Sequence, residues 1–238
     1  MGGGALVAPA LYVVLALSYA DAIAVSLVVS VFTKIVGAVQ HIRQGSVLWS
    51  ITLLYGLSGV PGAIVGSWVI HLAGARGEGL FPFVMAAVLL LVAILLALEA
   101  TVSRVAGWAK RWSPHELGWR TALAVAAFQV FVGLLLGVTS VGSGSLVILS
   151  MVYFFRMSAR EIIGSNIVIS LLMVVPAGAT HLALGAVRWP VVGVLLGGSL
   201  VGALAGARAT LLVPERGLKL VIAGLVAAAA VATVARAL

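Results

Sequence analysis

The chain has 238 residues, of which 63% are hydrophobic and 8% charged, with a mean hydropathy of +1.26. Soluble domains carry roughly 25% charged residues, so this composition excludes a water-soluble globular domain and describes a polytopic integral membrane protein. The net charge of +8 does not argue for a nucleic-acid partner, because in membrane proteins the basic excess belongs to cytoplasmic loops, and the lack of cysteine excludes disulfides and thiolate metal sites.

Leu, Val, Ala and Gly come in long runs rather than in the alternation of a membrane β-barrel, so the fold class is all-α. Cutting at charges, Gly and Pro predicts nine apolar segments, 5–20, 22–42, 46–73, 80–101, 119–138, 145–156, 160–184, 186–213 and 218–238. The start Met1-Gly2-Gly3-Gly4 has no basic region of the kind that opens a cleavable signal, so the first span is expected to direct insertion. A span needs about 20 residues, which makes 5–20 and 145–156 short. Segments 46–73 and 186–213 are long enough to require tilt or a kink, expected at Pro61-Gly62 in the first.

The chain is one unit written twice. The polar break Gly142-Ser143-Gly144-Ser145 has a degraded copy at Gly2-Gly3-Gly4-Ala5, and the offset of 140 residues continues without a gap. It pairs His41 with His181, Trp49 with Trp189, Gly62 with Gly202 and Gly66 with Gly206. The break between 119–138 and 145–156 predicts a hairpin, re-entrant or V-shaped, with its tip inside the membrane. The expected units are residues 1–101, a basic linker at 102–118 and residues 119–238. The first unit lacks a helix ahead of Gly2 that the second has ahead of Gly142, and a missing upstream segment is the expected reason.

Placing the linker 102–118 in the cytoplasm puts Arg43, Arg104, Lys110, Arg111, Arg120, Arg156, Arg160, Arg208, Arg216 and Lys219 inside. Only Arg76, Arg188 and Arg236 fall outside, and Lys34 lies within a span. That bias satisfies the positive-inside rule. It also makes 22–42 and its copy 160–184 cross in opposite directions, so the halves are expected to be inverted repeats. Transporters built this way hold their substrate near the midplane, at the interface of the repeats.

Intramembrane polar residues suggest function by default, and here they are few. A helix beginning after Ser143-Gly144 offers unpaired N–H groups and the positive end of its dipole. With glycine permitting close approach and Ser143 and Ser145 adding hydroxyls, the break makes an anion cradle without formal charge. The competing reading is small residues that only allow helices to pack closely. Ser165-Asn166, matched by Ser26, would bind substrate oxygens or glue helices together. Lys34 is the lone cation within a span; snorkelling, a water-filled cavity and pairing with the substrate are its options. His41 and His181 are candidates for gating or proton coupling, or for interfacial anchoring, and their opposite-face placement excludes one shared metal site. Asp21 and Glu161, at segment starts, read as helix caps. The Trp residues 49, 108, 112, 119 and 189 read as interfacial belts. No nucleophile elbow, H-E-x-x-H or P-loop occurs, so no enzyme, cofactor or metal is expected.

These motifs in this order resemble the sulfite exporter TauE/SafE family, also called the four-toluene-sulfonate uptake permease family. Its Gly-rich opening motif is similar to Gly2-Gly3-Gly4-Ala5-Leu6-Val7-Ala8-Pro9-Ala10-Leu11 and, more loosely, to Gly142-Ser143-Gly144-Ser145-Leu146. Its next patch is similar to Ala24-Val25-Ser26 and Ile163-Gly164-Ser165-Asn166, its H-x-x-x-G-x-V-x-W to His41–Trp49 and His181–Trp189, and its closing G-x-x-x-G to Gly62–Gly66 and Gly202–Gly206. Departures are the absent first half-hairpin, Leu149 in place of the Pro9 counterpart, and Ser143 and Ser145 in place of glycines. The resemblance implies a secondary transporter, an exporter, moving sulfite, organosulfonates or related sulfur oxyanions across the bacterial inner membrane. The implied partners are that small anion, the bilayer and a coupling ion such as H+, with a homodimer as one option. A passive anion channel and a non-transporting scaffold of sulfur metabolism are the alternatives.

Overall fold

The computed structural model describes residues 4–101, 118–184, 187–209 and 215–238. Its helices are α1 (Gly4–Val13), α2 (Tyr19–Arg43), α3 (Trp49–Thr101), α4 (Trp119–Thr139), α5 (Ser145–Phe154), α6 (Ala159–Ala183), α7 (Trp189–Ala209) and α8 (Glu215–Ala237). Among the described residues six stretches are long and apolar enough to cross a membrane, two of them arms of α3, Trp49–Gly74 and Gly77–Leu98. The non-helical backbone in α3 is at Gly74 (φ 48°, ψ −133°), not at the Pro61-Gly62 pair where the kink was expected. A glycine tolerates those dihedrals and a proline cannot adopt them. Gly2, Gly3 and most of the linker, residues 102–117, lie outside the described residues, as does the end of the expected 186–213 segment.

The element boundaries follow the repeat. Tyr19–Arg43 and Ala159–Ala183 lie 140 residues apart at both ends, and Trp49 and Trp189 each open a helix. The caps match as well. Ser18 accepts a hydrogen bond from the Asp21 N–H at 3.1 Å, and Ser158 forms a reciprocal capping box with Glu161. Each satisfies N–H groups that a helix start leaves bare. Asp21 also forms an ion pair with Arg188 at 2.8 Å, while Arg160 donates to the Gln44 carbonyl at 2.8 Å. These two contacts mark opposite ends of the bundle. Trp49, Trp119 and Trp189 are exposed at the first turns of their helices, as interfacial anchors should be.

The matched helices α2 and α6 pack on each other and run antiparallel, since Gly37 faces Ile167 whereas Gly178 faces Leu27 and Val31. The tightest seam lies between the first arm of α3 and α4. A Cβ placed on Gly62 would collide with the Val130 carbonyl, one on Gly66 with that of Leu134, one on Gly133 with that of Gly59, and one on Gly137 with that of Ala63. Lipid supplies no hydrophobic force between helices, so backbone-to-backbone approach over small residues holds such seams. We expect Gly133→Val to misplace α4, at a cost at or above the roughly 3 kcal/mol upper end for overpacking, because a backbone carbonyl cannot swing aside. Gly193→Ala, with nothing within 4 Å, should leave the unfolding midpoint unchanged or higher. Thermal unfolding of the two purified variants in detergent measures the difference.

Candidate functional site

The helix α5 has 10 residues, about 15 Å at 1.5 Å per residue, half the roughly 30 Å hydrocarbon core. Helices α4 and α5 thus form a hairpin whose turn, residues 140–144, is buried within the bundle over 140–143 and half-buried at Gly144. The turn is built by local chemistry. Ser140 ends α4 in the left-handed conformation (φ 58°) and Gly142 has φ +105°; the latter is accessible to glycine alone without strain. The Thr139 hydroxyl accepts from the Val141 N–H at 3.1 Å and donates to the Leu135 carbonyl at 2.7 Å, stiffening the exit from α4.

Tertiary neighbours then pin the turn. Ser26 of α2 and Ser140 share a hydroxyl hydrogen bond of 3.0 Å. Ser170 of α6 donates to the Ser143 carbonyl at 2.6 Å. The Asn166 amide nitrogen, oriented by its neighbours, donates to the Ser143 carbonyl at 3.0 Å and to the Gly144 carbonyl at 3.3 Å. Lys34 donates from Nζ to Ser143 Oγ at 3.1 Å. Lys34 lies three residues past the middle of α2 and Ser170 one residue before the middle of α6. The turn therefore sits halfway along two spanning helices.

The electrostatics of this turn favour a negative ligand. Leu146 and Ile148 donate back to the Gly142 and Gly144 carbonyls, whereas among the described residues no backbone acceptor takes the N–H groups of Ser143, Gly144, Ser145 or Val147. Those donors stand at the positive end of α5, with Gly144 as its N-cap. Lys34 has no carboxylate within ion-pair distance among the described residues. An unpaired charge inside a membrane protein is costly and calls for a counter-ion. Ser143 is 5% exposed and Asn166 6%, whereas Gly144 and Ser145 at the start of α5 are half-buried.

Of the expected residues, the structure brings together Ser26, Lys34, Gly142, Ser143, Gly144, Ser145 and Asn166. Ser165 points elsewhere: its hydroxyl accepts from the Leu48 N–H at 2.9 Å, just ahead of α3. Residues 165 and 166 are neighbours on a continuous helix, so their side chains diverge by about 100°. His41 also lies apart, its Nδ1 hydrogen-bonded at 2.9 Å to Ser46 in the α2–α3 turn. His181 is buried against His71, at 3.0 Å between rings. Gly4 opens α1. Sequence reasoning did not single out Ser140, His71, Gln129 or Ser150. Gln129 donates to Ser150 at 3.4 Å, beneath the turn between α4 and α5, and an intramembrane Gln was the signal that could have found it.

The profile of the family described as Sulfite exporter TauE/SafE matches residues 1–233. The chain belongs to that family. It is 31% identical over 229 residues to "Probable membrane transporter protein YjnA" of Bacillus subtilis (strain 168), across 95% of this chain and 89% of the relative. It is 24% identical to "Probable membrane transporter protein YdhB" of the same organism, across 92% of this chain and 86% of that one. "Probable membrane transporter protein YunE", also of that organism, is 23% identical, across 87% and 80%. No solved structure matches the chain. This TauE/SafE member is accordingly a multi-pass membrane transporter that acts on a small-molecule substrate.

Proposed function

We propose that this TauE/SafE protein is a secondary carrier, working as an exporter, for sulfite, organosulfonates or related small sulfur oxyanions in the bacterial inner membrane. The observation that carries the reading is Lys34. Its ammonium group has no carboxylate partner among the described residues and reaches Ser143 in a turn halfway through the bundle. A three-oxygen anion would accept from Lys34, from the Ser143 and Ser145 hydroxyls and from the bare N–H groups at the start of α5. Asn166 and Ser170 do not face the anion in this arrangement; they hold the carbonyls of the turn so that its N–H side stays open.

In this reading residues 1–101 and 119–238 are inverted repeats joined by a cytoplasmic linker at 102–118. The antiparallel packing of the matched α2 and α6 supports it. Rocking of one repeat against the other would expose the buried turn to each side in alternation. The test is flux in proteoliposomes holding the purified full chain. A carrier gives saturable uptake of labelled thiosulfate or sulfoacetate that unlabelled anion on the far side accelerates. Flux that rises linearly and ignores the far side would mean a channel, and no anion binding or flux at all would mean a scaffold.

A further inference from the structure

A second polar site lies at the Asp21–Arg188 end of the bundle. There His71 of α3 and His181 of α6 are hydrogen-bonded, Nε2 to Nδ1, at 3.0 Å, with ring centroids 4.9 Å apart. His181 is fully buried, and its Nε2 lies near the Gly137 carbonyl of α4 without a well-formed hydrogen bond. His71 lines a cavity of about 370 Å³ that it shares with Tyr19, Ile70, Gly74, Glu78 and Phe81. The cavity leads to the break in α3 at Gly74, three residues beyond His71. An imidazole pair with one ring buried and the other half-exposed to a cavity beside the Gly74 break has no role in holding the anion.

We propose that His71 and His181 together form a proton-binding site that couples proton movement to transport. This rests on the carrier reading above. In the neutral pair one ring nitrogen donates to the other, and His181 Nε2 carries a hydrogen only if His71 is the donor. One added proton changes that. Whichever ring holds the charge, His181 Nε2 then carries hydrogen and has the Gly137 carbonyl as its acceptor. Gly137 lies three residues before Ser140, which starts the anion turn and bonds Ser26. Protonation thereby makes permanent a tie between α6 and the end of α4 that feeds that turn, a tie the neutral pair offers in only one of its two tautomers. A change of angle at Gly74 would pull His71 away and release the proton into the cavity.

Among the described residues, the other charged and titratable groups at this end are held as follows. Glu78 lines the same cavity as His71. The Tyr19 hydroxyl donates to the Val138 carbonyl at 2.8 Å. Asp21 is paired with Arg188. Arg236 of α8 lies over the Tyr12 ring at 4.2 Å. Arg76 follows the break in sequence, and α4 carries no titratable side chain between Thr121 and Thr139.

The test uses proteoliposomes loaded with a pH-sensitive dye, with thiosulfate and sulfoacetate as probes because both stay ionised at neutral pH. Two signals are read, exchange of labelled anion and movement of protons driven by an anion gradient. In the native protein both should appear. In His71→Gln and His181→Gln we expect exchange to persist while the proton signal falls by about 100-fold, the lower end of what a positioned proton-transfer group contributes. Native protein that exchanges anion with no proton signal would overturn the proton site and leave the carrier standing. A parallel fall of both signals in the variants would reduce the pair to a packing role and also overturn it. Absence of exchange in the native protein would sink the carrier reading, and this proposal with it.

Discussion

Lys34→Met is expected to move two properties in opposite directions. In the ligand-free protein the substitution removes a charge that has no carboxylate partner among the described residues, so the apo form should be as stable as the native protein or more so. Anion binding should weaken at the same time. A hydrogen bond to a charged group contributes about 1.5–3 kcal/mol, and each 1.4 kcal/mol is tenfold in affinity, so the loss should be about 10- to 100-fold. Thermal unfolding in detergent, with and without thiosulfate, reads both at once, because a ligand that binds only the native state raises its apparent stability. Lys34→Arg keeps the charge and should retain much of the anion-induced stabilisation. If Lys34→Met unfolds more readily without ligand and keeps its response to anion, the ammonium is structural and the anion reading fails.

Asn166→Ala should abolish most anion flux while the protein still folds. The amide donates to two consecutive carbonyls of the buried turn. Removing it strands acceptors at about 1–3 kcal/mol, although Ser170 still holds the Ser143 carbonyl. The turn keeps its place and loses its orientation, so we expect flux in proteoliposomes to fall by about tenfold or more, given how steeply binding depends on a preorganised site. Asn166→Asp should do worse, since it sets a carboxylate against two carbonyls and beside the anion itself. Flux unchanged in Asn166→Ala would count heavily against the turn as the site. The two substitutions share Ser143, so Lys34→Met combined with Asn166→Ala should fall short of the product of the single losses.

What the chain alone determined follows from solvent and local geometry. Composition assigns the membrane, because a chain with 8% charge has no polar surface to offer water. The 140-residue offset is carried by the order of residues and reappears in the helix boundaries, because caps such as Ser18 and Ser158 act within a single turn. The Gly142–Ser145 interruption was readable as a turn with bare N–H groups for the same local reason, and the helix after it does begin at Ser145.

Only the tertiary structure decided which side chains meet there. Lys34 and Ser143 are 109 residues apart, and His71 and His181 are 110. Water imposes a polar face on a soluble helix and so reveals its inner side in sequence, but lipid is as apolar as the protein core. The spanning helices here are apolar all round, and no stripe tells which face turns inward. That is why Ser165 and Asn166 read as a single candidate patch, although one faces the turn ahead of α3 and the other the anion turn. The same indifference hid the partner of each histidine. It also hid that α4 packs on the face carrying Gly62 and Gly66.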